Sequence, residues 1–197
     1  MTNNKNYNPN FIGSFLVEQE LCKKVITFFN ENSELHQQGL SGGKIDENKK
    51  KSTDLVIFPK NLDQTNFVTL HEYIEELNKC YKLYKKEWPY LNEPFEKLDV
   101  GPFNIQKYNE GGHFSKIHSE RESLSSLHRL FAFMTYLNDD FEGGETYFLH
   151  YDLFIKPQTG KTLIWPAEWT HAHRGGIVKS GTKYIITGWL DIPIINI

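Results

Sequence analysis

Two side chains able to bind a metal stand two residues apart in Ile117-His118-Ser119-Glu120. A second stretch starts at His171-Ala172-His173 and runs through Gly181 to Lys183. On a strand, residues two apart share a face, so the His118 imidazole and the Glu120 carboxylate can converge on one point without help from a turn. A third nitrogen from a neighbouring strand would complete a metal site. Two histidines and one carboxylate on one face of an octahedron suit non-haem Fe(II) and leave three positions open for a co-substrate and dioxygen. A lone His-x-Glu arises often by chance, so its weight depends on what surrounds it.

The elements that must position these groups fall into two halves. Phe11 to Phe15 reads as a short strand, and Val17 to Asn30, apolar at Leu21, Val25, Phe28 and Phe29, as a helix. Asn32 to Asp54 turns polar and predicts a mobile loop with little packing, its Lys49-Lys50-Lys51 run a solvated face. Leu55 to Phe58 reads as a buried strand stopped by Pro59. From Asn66 to Trp88 the residues Phe67, Leu70, Ile74, Leu77, Tyr81, Tyr84 and Trp88 step by threes and fours, one apolar stripe on a long helix ended by Pro89. The stripe suits a helix packed on the outside of a sheet better than a dimer seam, because two heptads are few for a coiled coil.

After Leu98 the chain reads as short strands rich in Phe, Tyr, Ile and Trp: 101–108, 116–118, 130–137, 145–148, 152–155, 162–165, 170–175 and 183–189. Turn signals such as Gly143-Gly144 and Gly175-Gly176 separate them. The expected fold class is α+β, mainly β: a double-stranded β-helix (jelly roll) with N-terminal helices packed on the outer face of one sheet. With 197 residues the chain is expected to be a single domain, 1–97 giving helical support and loops and 98–191 the catalytic core.

Composition excludes several classes. A net charge of -3 gives no global attraction to nucleic acid or to an anionic membrane. Met1 to Asn10 has no apolar core and is read as neither signal peptide nor membrane span, and no later stretch approaches a spanning length. Cys22 and Cys80 both fall in the expected helices and read as free buried thiols of a reducing cytoplasm, the expected location.

Around the His-x-Glu pair stand Tyr108 with the Gly111-Gly112 turn, Tyr136-Leu137-Asn138, Gly143-Gly144-Glu145-Thr146-Tyr147-Phe148, His173, Lys183 and Trp189. In this order and spacing, from Phe103 to Leu190, the chain resembles the prolyl 4-hydroxylase-like branch of the Fe(II)- and 2-oxoglutarate-dependent dioxygenases. Glu120 stands where that family usually has Asp, which keeps the carboxylate and adds one methylene. The family's basic residue lies ten positions after its distal histidine, and 183 minus 173 is 10, so His173 is favoured over His171 as third ligand.

The resemblance implies that His118, Glu120 and His173 hold Fe(II) and carry catalysis. It implies that Lys183 anchors the distal carboxylate of 2-oxoglutarate with help from Tyr136, that Tyr108 approaches its other end near the metal, and that Thr146 lines the pocket. Arg129 is the candidate substrate contact at the pocket mouth. Trp189, on the same substrate side, packs under the iron site. The implied reaction consumes 2-oxoglutarate and O2, with ascorbate as a possible helper, releases succinate and CO2, and hydroxylates a prolyl residue in a peptide or protein. A free amino acid or other small molecule is the alternative substrate. A non-oxidative cupin-like metal protein is the alternative class, and it has no need of a buried Lys183. The segments 37–51 and 119–127 are the expected lids.

Overall fold

The computed structural model describes residues 10–63 and 67–193. The readings of Met1 to Pro9 and of the helix start at Asn66 lie outside the described residues.

The first half supplies strand β1 (Gly13–Leu16), helix α1 (Gln19–Glu31), strands β2 (Gln37–Gln38), β3 (Lys50–Lys51) and β4 (Thr53–Ile57), and helix α2 (Val68–Glu87). The second half begins with β5 (Asp99–Val100), β6 (Phe103–Tyr108), β7 (His113–His118) and β8 (Arg129–Tyr136). It continues with β9 (Glu142–Gly143), β10 (Thr146–Phe148), β11 (Leu153–Ile155) and β12 (Lys161–Pro166). It ends with β13 (His173–Gly175), β14 (Val178–Ser180) and β15 (Lys183–Asp191).

Among the described residues two main sheets form. The larger runs β1-β12-β8-β15-β6-β4-β2, with β5 added on β15, and the smaller runs β11-β10-β13-β7-β3. Strands β14 and β9 make a separate antiparallel pair. This is the expected mainly-β jelly roll, with its two sheets left as separate ladders.

The larger sheet is buried on both faces, and β8 shows why. Phe131 and Phe133 point to the helices and join the core of Phe29, Leu70, Leu77 and Tyr84, while Ala132, Met134 and Tyr136 point the other way, toward Phe148 and Trp165. The period of two sorts one strand between two cores. Each large apolar side chain so enclosed contributes roughly 1.5–3 kcal/mol. Gly188 of β15 sits where an added Cβ would stand 2.5 Å from Cβ of Phe103, so glycine is what lets β15 pass between its aromatic neighbours.

Both helices cover the outer face, as expected. The buried face of α1 is Leu21, Cys22, Val25, Phe28 and Phe29, and α2 buries Leu70, Tyr73, Leu77, Cys80, Tyr81 and Tyr84. The Tyr73 hydroxyl meets Oγ1 of Thr135 at 2.7 Å, and Thr135 meets Thr162 at 2.7 Å, so the polar atoms beneath the helix satisfy one another. The stripe on α2 is therefore spent on the sheet. Trp88 closes the helix with its N–H on the Tyr84 carbonyl, and Pro89 has no N–H to extend it.

Three expectations are corrected. The polar stretch 32–54 is packed: it contributes β2 and β3, and Lys50 and Asp54 are only 3% and 4% exposed. Lys50 is thus no part of a solvated run, because its stem crosses from β3 at the edge of the smaller sheet to Asp54 on β4 of the larger. Strand β7 ends at His118, and Glu120 lies in the bend beyond it, so the pair does not share a strand face. Finally, the stretch read as one strand from Thr170 to Gly175 opens with a 3-10 turn over Trp169–His171 before β13 begins. No helix among the described residues is long and apolar enough to cross a membrane.

Candidate metal centre

Antiparallel pairing sets His173 of β13 directly against His118 of β7. The two rings stand 4.5 Å apart, and Nε2 of each faces the same Glu120 oxygen, Oε1, at 3.8 Å from His118 and 3.5 Å from His173. The three ligand atoms lie within 4.8 Å of one another. Pairing supplies the convergence that strand periodicity was expected to give.

Each donor is oriented from behind. Nδ1 of His118 lies 2.9 Å from the Lys116 carbonyl and Nδ1 of His173 lies 3.0 Å from the His171 carbonyl. A carbonyl only accepts, so Nδ1 carries a proton in both rings and Nε2 is the atom turned toward Glu120. Phe114, four residues before His118 on β7, stacks on its ring at 4.0 Å. Burial and the neighbouring His118 push the His173 imidazolium down to about 4, so His173 is neutral at physiological pH, as a ligand must be.

Glu120 is held at both ends. Its N–H donates to the Ala167 carbonyl at 3.2 Å, and its own carbonyl accepts from Nη1 of Arg129 at 2.9 Å. Nε1 of Trp189 donates to Oε2 at 2.7 Å, and the Arg129 guanidinium lies 3.5 Å over the Trp189 ring. Arg129 and Trp189 both line the cavity, and between them they fix the bend that carries Glu120.

That cavity, about 790 Å³, opens between the two sheets and reaches from the loop at Leu40 to Lys183. Lys183, the first residue of β15, is 4% exposed and donates to the Gly144 carbonyl at 2.7 Å, with the rings of Tyr108 and Tyr136 about it at 5.3 and 5.2 Å. Burial pulls its ammonium down to about 7, opposed by the nearby Glu145. Thr146 lines the cavity and its hydroxyl lies 2.6 Å from that of Tyr136, which is fully enclosed and also donates to the Ile155 carbonyl at 3.3 Å. The Tyr108 hydroxyl donates to Gln106 at 2.7 Å. His171 faces elsewhere, with Nε2 2.8 Å from the Asn10 carbonyl.

Residues 103–191 match the family model described as the 2OG-Fe(II) oxygenase superfamily. That stretch, a little under half of the chain, carries all three donors and Lys183 and is similar to that superfamily. Over 137 residues, 64% of its length, this oxygenase is 27% identical to procollagen-lysine,2-oxoglutarate 5-dioxygenase 1 of Bos taurus. It spans less than a fifth of the length of the procollagen-lysine relatives it matches. In fold it is similar to the viral collagen prolyl hydroxylase of Paramecium bursaria Chlorella virus-1, with a TM-score of 0.64 and 18% identity over 93% of this chain and 97% of that one. It is likewise similar to a Trichoplax adhaerens prolyl hydroxylase solved with a hypoxia inducible factor peptide, at TM-score 0.71 and 14% identity over 93% and 84%.

The family's metal and co-substrate, Fe(II) and 2-oxoglutarate, fit the residues of the oxygenase. Two imidazole nitrogens and one carboxylate oxygen gather on one side of a shared point, the donor set that suits non-haem iron. Sequence reasoning missed Phe114, Gln106, Lys50 and Asp54. The first two were legible, standing at even spacing from His118 and Tyr108 on their strands; the last two gave no signal.

Proposed function

We propose that this oxygenase hydroxylates a residue inside a peptide or protein, a prolyl residue first, with release of succinate and CO2. The observation that carries the reading is one cavity holding the His118, Glu120 and His173 donors at its wall and a buried ammonium, Lys183, deeper in. A buried ammonium whose described hydrogen-bond partner is a neutral carbonyl calls for an anion, and the distal carboxylate of 2-oxoglutarate supplies one. A cupin-like protein without oxidation would have no use for it.

In this reading Nε2 of His118, Nε2 of His173 and Oε1 of Glu120 hold the iron, and Trp189 keeps Oε2 occupied so that one oxygen faces the metal. Bound Fe(II), with 2-oxoglutarate and O2, supplies the oxidation that replaces a substrate C–H by C–OH. The enclosing walls keep water from the reacting groups, and Arg129 braces the mouth. Thr146, joined to Tyr136, lines the co-substrate arm, and Tyr108 flanks Lys183 there.

Sequence relatives that carry procollagen-lysine in their names favour a second reading, a lysyl residue in a peptide. Release of succinate from 2-oxoglutarate, with Fe(II) and ascorbate, separates the cases when proline peptides, lysine peptides and free proline are compared. Stimulation by proline peptides is expected; stimulation by lysine peptides alone moves the reading to lysine, and free proline alone moves it to a small metabolite.

A further inference from the structure

Opposite Lys183, the cavity wall carries a second buried lysine that the metal and co-substrate leave unused. Lys50, on β3 at the edge of the smaller sheet, donates to Oδ2 of Asp54 on β4 at 2.5 Å. The carboxylate of Asp54 is otherwise engaged: Ser52 donates to Oδ1 at 2.7 Å and Gln106 to Oδ2 at 3.5 Å. Gly39 closes over the pair, since a Cβ there would fall 3.1 Å from Cε of Lys50.

An ammonium has three N–H donors. Among the described residues one goes to Asp54, and the remainder find no acceptor, only the ring of Phe114 at 5.3 Å. That ring is the one stacked on His118. Lys50 therefore presents spare donors to the cavity one ring away from the metal donors.

The chemistry of the missing acceptor follows from charge. Asp54 already neutralises Lys50, so a carboxylate placed there would leave a net buried negative charge, whereas a carbonyl oxygen takes the hydrogen bond and adds none. Of the other cations that line the cavity, Lys116 has a carboxylate beside it and Arg129 is committed to the bend at Glu120. Nζ of Lys116 lies 3.5 Å from Glu122, and Arg129 donates to the Glu120 carbonyl at 2.9 Å and lies over the Trp189 ring.

We infer that Lys50 is a specificity-determining residue that donates to a main-chain carbonyl of the substrate, so that the cavity selects a residue within a peptide over the free amino acid. This rests on the oxygenase reading of the site and narrows its substrate class.

The test uses the full chain with Fe(II), 2-oxoglutarate and ascorbate, and reads succinate with N-acetylated, C-amidated peptides covering every residue type and with the matching free amino acids. Turnover of peptides is expected, and in Lys50→Met the KM of the best peptide should rise about tenfold or more, the loss of one hydrogen bond to a charged donor. The KM for 2-oxoglutarate should stay within about twofold. Turnover of free amino acids alone, of neither set, or an unchanged peptide KM in Lys50→Met overturns the inference, as does a parallel rise of both KM values. If Lys50→Met does not fold, the natural chain is tested with peptides in which the carbonyls flanking the target are replaced one at a time by methylene. A tenfold KM rise at one of them supports the contact and a rise at none overturns it. No consumption of 2-oxoglutarate in any mixture would overturn the oxygenase reading itself, and the inference with it.

Discussion

Glu120 reaches one methylene further than the aspartate usual in its family, and Trp189 meets the carboxylate it places there. With Oε2 taken by the indole N–H, Oε1 alone faces the two imidazoles. Trp189→Phe, which keeps the ring and removes the donor, should weaken Co(II) binding by roughly 10–100-fold, as loss of partners behind metal ligands generally does. Titration followed by the absorption of the bound Co(II) reads this. Lys183 gives a pH prediction with a definite sign. Burial disfavours its charge and pulls the ammonium down to about 7, while a bound carboxylate favours the charge. Above that pH the free protein has lost a proton that the complex keeps, so binding takes up a proton. The KM for 2-oxoglutarate should be flat below about pH 7 and rise by up to about tenfold per unit above it. Lys183→Ala should raise that KM and remove its slope; an unchanged KM would remove the anchor.

At the scale of elements, α2 and the larger sheet carry the fold, and the site lies on the far face of that sheet. Leu77→Ala on the buried stripe of α2 should lower unfolding free energy by about 2–5 kcal/mol in urea, with the KM for 2-oxoglutarate unmoved, because the cavity opens on the other side. A changed KM would mean that the two faces of the sheet are coupled. The periodicities of α1, α2 and the strands of the second half were legible because a buried face imposes its repeat on the residue order. Strands β2, β3, β9 and β14, two or three residues each, were not: so short a run holds no period, and only its partner across the ladder defines it.

At the scale of the molecule, metal and co-substrate bind a cavity that exists only when both sheets are assembled, so their binding free energy adds to that of folding. Ni(II) with 2-oxoglutarate, each at about a hundredfold over its Kd, should add roughly 2.7 kcal/mol apiece, seen as a raised thermal midpoint that a chelator reverses. Glu120→Ala should forfeit the metal's share, and His118→Ala should abolish turnover altogether. A midpoint indifferent to metal in the natural chain would leave the three donors without a ligand.

The order and spacing of His118, Glu120, His173 and Lys183 were fixed along the chain, because metal donors and a co-substrate anchor are set by residue type and survive any reading of the turns between them. Tertiary structure alone decided how they meet. Glu120 reaches the site from a bend rather than along a strand, and Trp189 and Arg129 hold it there from β15 and β8. Lys50 and Asp54, which look solvated in a polar run, are drawn inward because β3 and β4 belong to different sheets and their side chains meet between them. Charge partners and enclosure belong to contacts between segments distant in sequence, and no local pattern of residues encodes them.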